Sequence, residues 1–215
     1  MALQGIDISN WQKGINLDAL AIDFAICKAT QGASYVSPDC DRQMQQAMKR
    51  GLLVGVYHYV NGAGVDAEAQ HFANSIKGYL GKALIVLDWE QGDNAAWGNT
   101  GYLDSLVAKV KALTGVTPLI YASQSVFPWD IAKKHGCGTW VAQYANNNTT
   151  GLQGNPWNEG AYSCDIRQYS SCGRLDGWGG NLDLNKAYMD AAKWQQFAAV
   201  GGAASANTDR ASNRR

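Results

Sequence analysis

The chain has 215 residues, 46% of them hydrophobic and 17% charged, with eighteen basic residues balancing eighteen acidic ones. That length suits one large domain or two small ones, and the even balance removes the electrostatic case for nucleic acid or an anionic membrane as a partner. No apolar run approaches the roughly 20 residues that cross a bilayer.

Strand-like and helix-like segments alternate from the N-terminus. Gly5 to Ser9 and Phe24 to Ala29 read as the first two strands. Pro38 opens a helical stretch through Met44, Ala47 and Met48 that stops at Gly51, a residue type suited to ending helices. Leu52 to Val60 reads as a third strand, Asp66 to Tyr79 as a helix, and Leu84 to Glu90 as the fourth strand. Tyr102 to Leu113 carries apolar residues at helical spacing, and Leu119 to Ala122 is the fifth strand. Three short strands follow, Trp140 to Tyr144, Asp165 to Tyr169 and Asn181 to Leu184, joined by Gly- and Asn-rich loops with little helical signal. Eight strands with helices mainly between the first five imply an α/β fold, an irregular TIM-like parallel barrel that loses helices in its second half. An open doubly wound sheet is the structural alternative. Residues 1–195 form the expected domain. Residues 196–215, rich in Ala, Gly, Ser and Asn and ending in arginines, read as a linker or disordered tail.

The sharpest local feature is Asp88-Trp89-Glu90, which closes the apolar run Ala83 to Leu87. Residues two apart on a strand share a face, so both carboxylates point together from the strand's C-terminal end, with Trp89 turned away. Adjacent carboxylates raise each other's proton affinity, and a protonated acid beside a carboxylate is what glycosidic cleavage requires. The plain alternative for an isolated Asp-x-Glu is one helix-capping acid and one solvated acid.

Functional residues of such barrels sit at the C-terminal strand ends. That rule selects Asp7, Lys28 to Gln31, Tyr57, His58, Tyr59, Asp88, Glu90, Tyr121, Gln143, Tyr144, Gln168, Tyr169 and Asp183, with Trp140 as a possible sugar platform. Acids, aromatics and amides at one mouth suit carbohydrate, whose rings stack on aromatics and whose hydroxyls need planar hydrogen-bonding groups. The plain readings are half-buried strand residues for the tyrosines, a salt-bridge partner for Lys28 and a structural role for His58. With three histidines and no Cys-x-x-Cys, no zinc spacing can be assembled, and neither metal nor cofactor is expected. Five cysteines leave at least one unpaired; Cys164 and Cys172 could bridge, but a chain without a signal peptide at Met1 to Asp7 is expected to keep thiols. Two rivals are a cysteine peptidase or amidase and a catalytically silent binding module. A serine hydrolase lacks its Gly-x-Ser-x-Gly.

Six stretches, in order, resemble the family 25 glycoside hydrolases, the Chalaropsis-type lysozymes. They are Gly5-Ile6-Asp7-Ile8-Ser9, Lys28-Ala29-Thr30-Gln31-Gly32, Gly55-Val56-Tyr57-His58-Tyr59, Leu87-Asp88-Trp89-Glu90, Gln168-Tyr169 and Asn181-Leu182-Asp183-Leu184-Asn185. The resemblance implies a barrel of eight strands and five helices. It also implies cleavage of the β-1,4 bond from N-acetylmuramic acid to N-acetylglucosamine in bacterial peptidoglycan. By position, Glu90 matches the proton donor and Asp88 the assisting acid, either a nucleophile or a partner of the substrate's 2-acetamido group. Asp7 and Asp183 match two further acids of the cleft. The chain is expected to be a bacteriophage endolysin, made in the host cytoplasm and acting on the wall after release, with a monomer as the favoured state.

Overall fold

The elements run in the order Leu3–Ile8 (β1), Phe24–Gln31 (β2), Tyr35–Val36 (β3), Cys40–Lys49 (α1), Leu53–Tyr59 (β4), Val65–Ser75 (α2) and Ala83–Asp88 (β5). Thr100–Thr114 (α3), Leu119–Ser123 (β6), Trp129–His135 (α4), Thr139–Ala142 (β7), Ile166–Gly173 (β8), Leu182–Ala187 (β9) and Ala191–Ala198 (α5) follow. The computed structural model describes residues 2–201. All strands belong to one sheet, and a β1–β2 pairing closes it into a barrel. Strand β3 is a short antiparallel extension on β2, so among the described residues eight strands form the wall, with five helices, the count that the family resemblance implies.

Alternation along the strands sorts the apolar residues into two layers. Phe24, Ile26, Leu84, Val86 and Leu119 pack together inside the barrel. Their neighbours Ala25, Cys27, Ile85, Leu87 and Ile120 join a larger cluster with residues of α1, α2 and α3. Space inside is tight. A Cβ at Gly5 would lie 2.4 Å from the Phe24 carbonyl oxygen, so only glycine lets the Phe24 ring fill the barrel there. Helix α5 closes the N-terminal end: Trp194 stacks at 4.9 Å on Phe24, and its indole N–H donates to the Val54 carbonyl at 3.1 Å.

Four features differ from the sequence reading. First, β9 pairs antiparallel with both β8 and β1, whereas the other barrel pairings are parallel. The cause is length: residues 174–181 are too few for a crossover, which takes a dozen or more, but ample for a hairpin. Second, α4 was absent from the expected elements. Its seven residues span too few turns to show a period, although Pro128 before it and left-handed Gly136 after it mark its ends. Third, α5 was missed and runs past the expected boundary at 195, with Phe197 and Ala198 buried. From 202 onward the expected tail lies outside the described residues. Fourth, β5 ends at Asp88, leaving Glu90 two residues beyond the strand.

No helix separates β7 from β8. Residues 143–165 cover that side instead, tied down by two outward-facing cations of β8 and β9. The Lys186 ammonium donates to the Gly154 carbonyl at 2.6 Å and to Glu159 at 2.5 Å, and Arg167 donates to the Trp157 carbonyl. No helix among the described residues is long and apolar enough to cross a membrane.

Glu68, fully buried in the first turn of α2, organises the loop after β4. It accepts hydrogen bonds from the backbone N–H groups of Asn61, Gly62 and Ala63, and from the Tyr102 hydroxyl at 2.5 Å. His58 lies 2.8 Å away through Nε2, and its Nδ1 is 2.7 Å from the Thr30 hydroxyl. Burial alone would raise the Glu68 pKa, but the His58 and Tyr102 bonds outweigh it and hold the group below the ordinary value. Burial keeps the His58 pKa low, and a fully buried ring held by Glu68 and Thr30 suits a structural role. Glu68→Ala would strand several buried donors at once. It is expected to cost about 3–5 kcal/mol in denaturant unfolding. A loss under about 1 kcal/mol would mean that these donors find other partners.

Candidate active site

Strand ends bring the acids to one mouth. Asp7 is the penultimate residue of β1 and pairs in register with Asp183 on β9. Asp183 is the second residue of β9 rather than near its C-terminal end. Because β9 runs antiparallel, its beginning lies where the parallel strands finish, and Asp183 still reaches the mouth. Asp88 closes β5, and Glu90 follows past Trp89, which packs at 5.5 Å on Trp97 behind the strand. All four acids line a single cleft.

Of the other residues selected from the sequence, Ala29 to Gln31 and Gln143 do not line this cleft, and His58 and Tyr169 turn to the other face, toward Glu68 and Gln153. Lys28, Tyr57, Tyr59, Tyr121, Trp140, Tyr144 and Gln168 line it too. Their parts differ. Gln168 spreads its amide across the floor, its Nε2 donating to both oxygens of Asp7 at 2.8 Å. The Gln168 Oε1 in turn accepts from the Tyr121 hydroxyl at 2.7 Å and from the Tyr144 hydroxyl. Trp140 is only 2% exposed, so it is floor and not an open platform. It meets Tyr121 edge-on at 4.6 Å and donates to the Asn185 Oδ1 at 2.8 Å. The Lys28 ammonium sits 4.6 Å over the Tyr59 ring and donates to the Gln31 Oε1 at 2.7 Å.

Three residues of the site were not selected from the sequence. Asn185 donates to Asp7 at 3.0 Å and so fixes that carboxylate from a second side. Its position two after Asp183 on one strand puts both side chains inside the barrel, a signal available from alternation. Ser9 and Trp11 line the cleft from the turn that follows β1. Nothing in their local pattern distinguished them.

Burial raises the pKa of every acid here, and the acids raise one another's. For Asp7, desolvation and then Asp183 push the pKa well up against the lowering bonds from Asn185 and Gln168. Asp88 is raised by burial and by Glu90, with Lys28 in opposition. Glu90 is raised by burial, opposed by Tyr121 and Lys28. Asp183, buried and facing Glu90, rises to about 7. Four carboxyls with one facing cation cannot all be ionised near neutrality, so the cleft holds protons where ordinary acids have lost them. Among the described residues no group of His, Cys, Asp or Glu is arranged to hold a metal ion.

The raised Asp183 pKa has a consequence for stability. A folded value of about 7 lies above the unfolded one, so the fold is favoured below the unfolded pKa and loses that advantage as pH climbs through 7. Asp183→Asn should therefore stabilise the protein by ~2–4 kcal/mol at pH 8 and by almost nothing near pH 4. Thermal unfolding of both proteins at the two pH values checks this. Equal midpoints at pH 8 would count against a burial cost at this position.

All five cysteines are unbridged. Burial raises the Cys27 thiol well above its ordinary pKa and pushes Cys40, Cys137 and Cys164 up to about 12. Thiols raised in this way are poor nucleophiles, which removes support from Cys27 as the nucleophile of a cysteine peptidase.

The comparisons with known proteins agree with the geometry. The chain is 29% identical over 210 residues to lysozyme M1 of Streptomyces globisporus, covering 89% of this chain and 69% of that protein. A bacterial lysozyme structure from Streptomyces coelicolor superposes with a TM-score of 0.75 at 25% identity, covering 93% of this chain and 98% of that one. The catalytic domain of an endolysin from bacteriophage P40 of Listeria monocytogenes gives a TM-score of 0.71 at 25% identity, covering 88% and 95%. The family model for glycosyl hydrolases family 25 matches residues 6–178, the stretch that carries Asp7, Asp88 and Glu90. The chain belongs to glycosyl hydrolase family 25.

Proposed function

We propose that this glycoside hydrolase is a muramidase. It cleaves the β-1,4 bond from N-acetylmuramic acid to N-acetylglucosamine in bacterial peptidoglycan. The observation that carries this reading is Glu90 beside Asp88 in a buried acidic cleft, both with raised proton affinity and with Lys28 as the facing cation. The names of similar proteins, a lysozyme and a phage endolysin among them, support the substrate.

Glu90, whose proton affinity is raised by desolvation, gives its proton to the glycosidic oxygen as the bond from that oxygen to the anomeric carbon breaks. The acetamido oxygen of the same sugar attacks the anomeric carbon. Asp88 accepts the acetamido N–H and balances the positive charge that forms. Its buried Oδ1 has no hydrogen-bond partner in the protein, as suits an acceptor awaiting a substrate donor. Water then adds at the anomeric carbon as that carbon's bond to the acetamido oxygen breaks, and loses its proton to the Glu90 carboxylate, so that the acetamido group and the acid are both restored. Asp7, held by Gln168 and Asn185, and Asp183 keep the cleft acidic around this pair. Origin in a bacteriophage is part of the proposal, supported by the endolysin neighbour.

The test is digestion of purified peptidoglycan followed by end-group analysis. New reducing ends on muramic acid are expected. Reducing ends on N-acetylglucosamine, new peptide termini, or binding without cleavage would each replace this reading with another.

A further inference from the structure

Trp11 is 91% exposed, and among the described residues no other large apolar side chain is so open to water. Tryptophan carries the largest apolar surface of any side chain and is highly buried on average. Here it forms part of the wall of the acidic cleft. Its backbone is held firmly. The turn Asn10–Gln12 begins on Ser9, whose hydroxyl accepts the Trp11 N–H at 3.2 Å, while the Gln12 side chain accepts the Ser9 N–H at 2.9 Å. Buried Gln43 donates to the Ser9 carbonyl at 2.9 Å and ties the turn to α1. A fixed backbone presenting a bare indole costs little further ordering when a ligand covers it.

We infer that Trp11 is a stacking platform for one pyranose ring of the glycan strand, at a position flanking the bond that is cleaved. The inference rests on the muramidase reading and adds a sugar-binding position to it. Trp11 follows β1, three strands round the barrel from β5, and lines the same cleft as Glu90 from that other side. A β-1,4-linked sugar presents a flat face of C–H groups, which matches the electron-rich face of an indole. Trp140, the other tryptophan of the cleft, is covered by Tyr121 and cannot take this part. The role is binding and not proton transfer.

The experiment uses the full chain with Trp11→Ala and Trp11→Tyr, each made in the active protein and in the Glu90→Gln background. Calorimetry with a β-1,4-linked N-acetylglucosamine tetramer reads binding in the Glu90→Gln proteins. Rates on purified peptidoglycan read KM and kcat in the active ones. Trp11→Ala should weaken tetramer binding and raise KM about tenfold, with kcat changed less than about threefold. Trp11→Tyr should restore most of the loss, which a merely structural role would not predict for so exposed a residue. Unchanged tetramer affinity in Trp11→Ala, or no tetramer binding by the Glu90→Gln protein, overturns the platform. A protein that binds the tetramer through Trp11 yet releases no reducing ends would keep the platform and sink the muramidase reading. Reducing-end release with no Trp11 effect would do the reverse.

Discussion

Glu90→Gln is expected to lower reducing-end release from peptidoglycan by at least ~10²–10⁴-fold, the range general acid catalysis supplies, while the protein stays folded and still binds glycan. Gln keeps the size and hydrogen-bonding reach of the side chain but has no acidic proton. Stability should not suffer. The Glu90 pKa is raised by burial, so its ionised form opposes folding above the ordinary carboxylate range, and an uncharged replacement relieves that. A large loss of activity in a protein with unchanged circular dichroism therefore reports chemistry. The pH profile adds a second reading. Activity that needs protonated Glu90 falls as pH rises through its raised pKa, so the alkaline limb should lie above the ordinary carboxylate value. A folded Glu90→Gln protein with most of the parent activity would return Asp88-Trp89-Glu90 to the plain reading of a cap and a solvated acid.

The mouth of the barrel was legible because it rests on local rules. Alternation from the buried run Ala83 to Leu87 placed Asp88 and Glu90 on the cleft side and Trp89 behind. The strand-end rule gathered Lys28, Tyr57, Tyr121 and Gln168 from separate segments into one cleft, while also selecting His58 and Tyr169, whose side chains alternate to the other face. Elements set by distant contacts were not legible. The direction of β9 depends on the short connection 174–181, and strand patterns carry no direction of their own. Helix α5 shows its apolar residues Trp194 and Phe197 only three apart in a sequence otherwise polar and small; the open end of the barrel gives them a place to pack. Trp11 was invisible for the opposite reason. Its neighbours suggest nothing, and only its exposure beside the acids singles it out.

Asp183 shows how a wrong local step can still reach the right site. Its expected position was the C-terminal end of a parallel strand, and it begins an antiparallel one. Two reversals cancel, since the start of an antiparallel strand and the end of a parallel strand share one face of the barrel. The same reversal sets Asp183 directly opposite Asp7 in register. That pairing helps to raise the Asp7 pKa, a coupling that no linear reading of strand ends would reveal.

Asp88→Asn is expected to lower turnover on native peptidoglycan by ~10²–10³-fold, the usual loss when one group that stabilises developing charge is removed. Burial and Glu90 raise the Asp88 pKa, and Lys28 is the group that opposes both and favours its charged form. Asn keeps an acceptor oxygen for the acetamido N–H but lacks the negative charge that balances the cyclised intermediate. The substrate then distinguishes two roles. If the acetamido group attacks, a glycan stripped of its N-acetyl groups is a poor substrate for the parent protein, and Asp88→Asn adds little further loss on it. If Asp88 itself is the nucleophile, the substitution is equally severe on both glycans, and the parent protein passes through an ester between Asp88 and the sugar that mass spectrometry of the quenched reaction can detect. The unpartnered Oδ1 of Asp88 favours the first outcome, because a buried acceptor with no protein donor is suited to hold an N–H of the substrate. Equal losses on acetylated and deacetylated glycan, together with a trapped ester on Asp88, would assign the attack to the carboxylate instead.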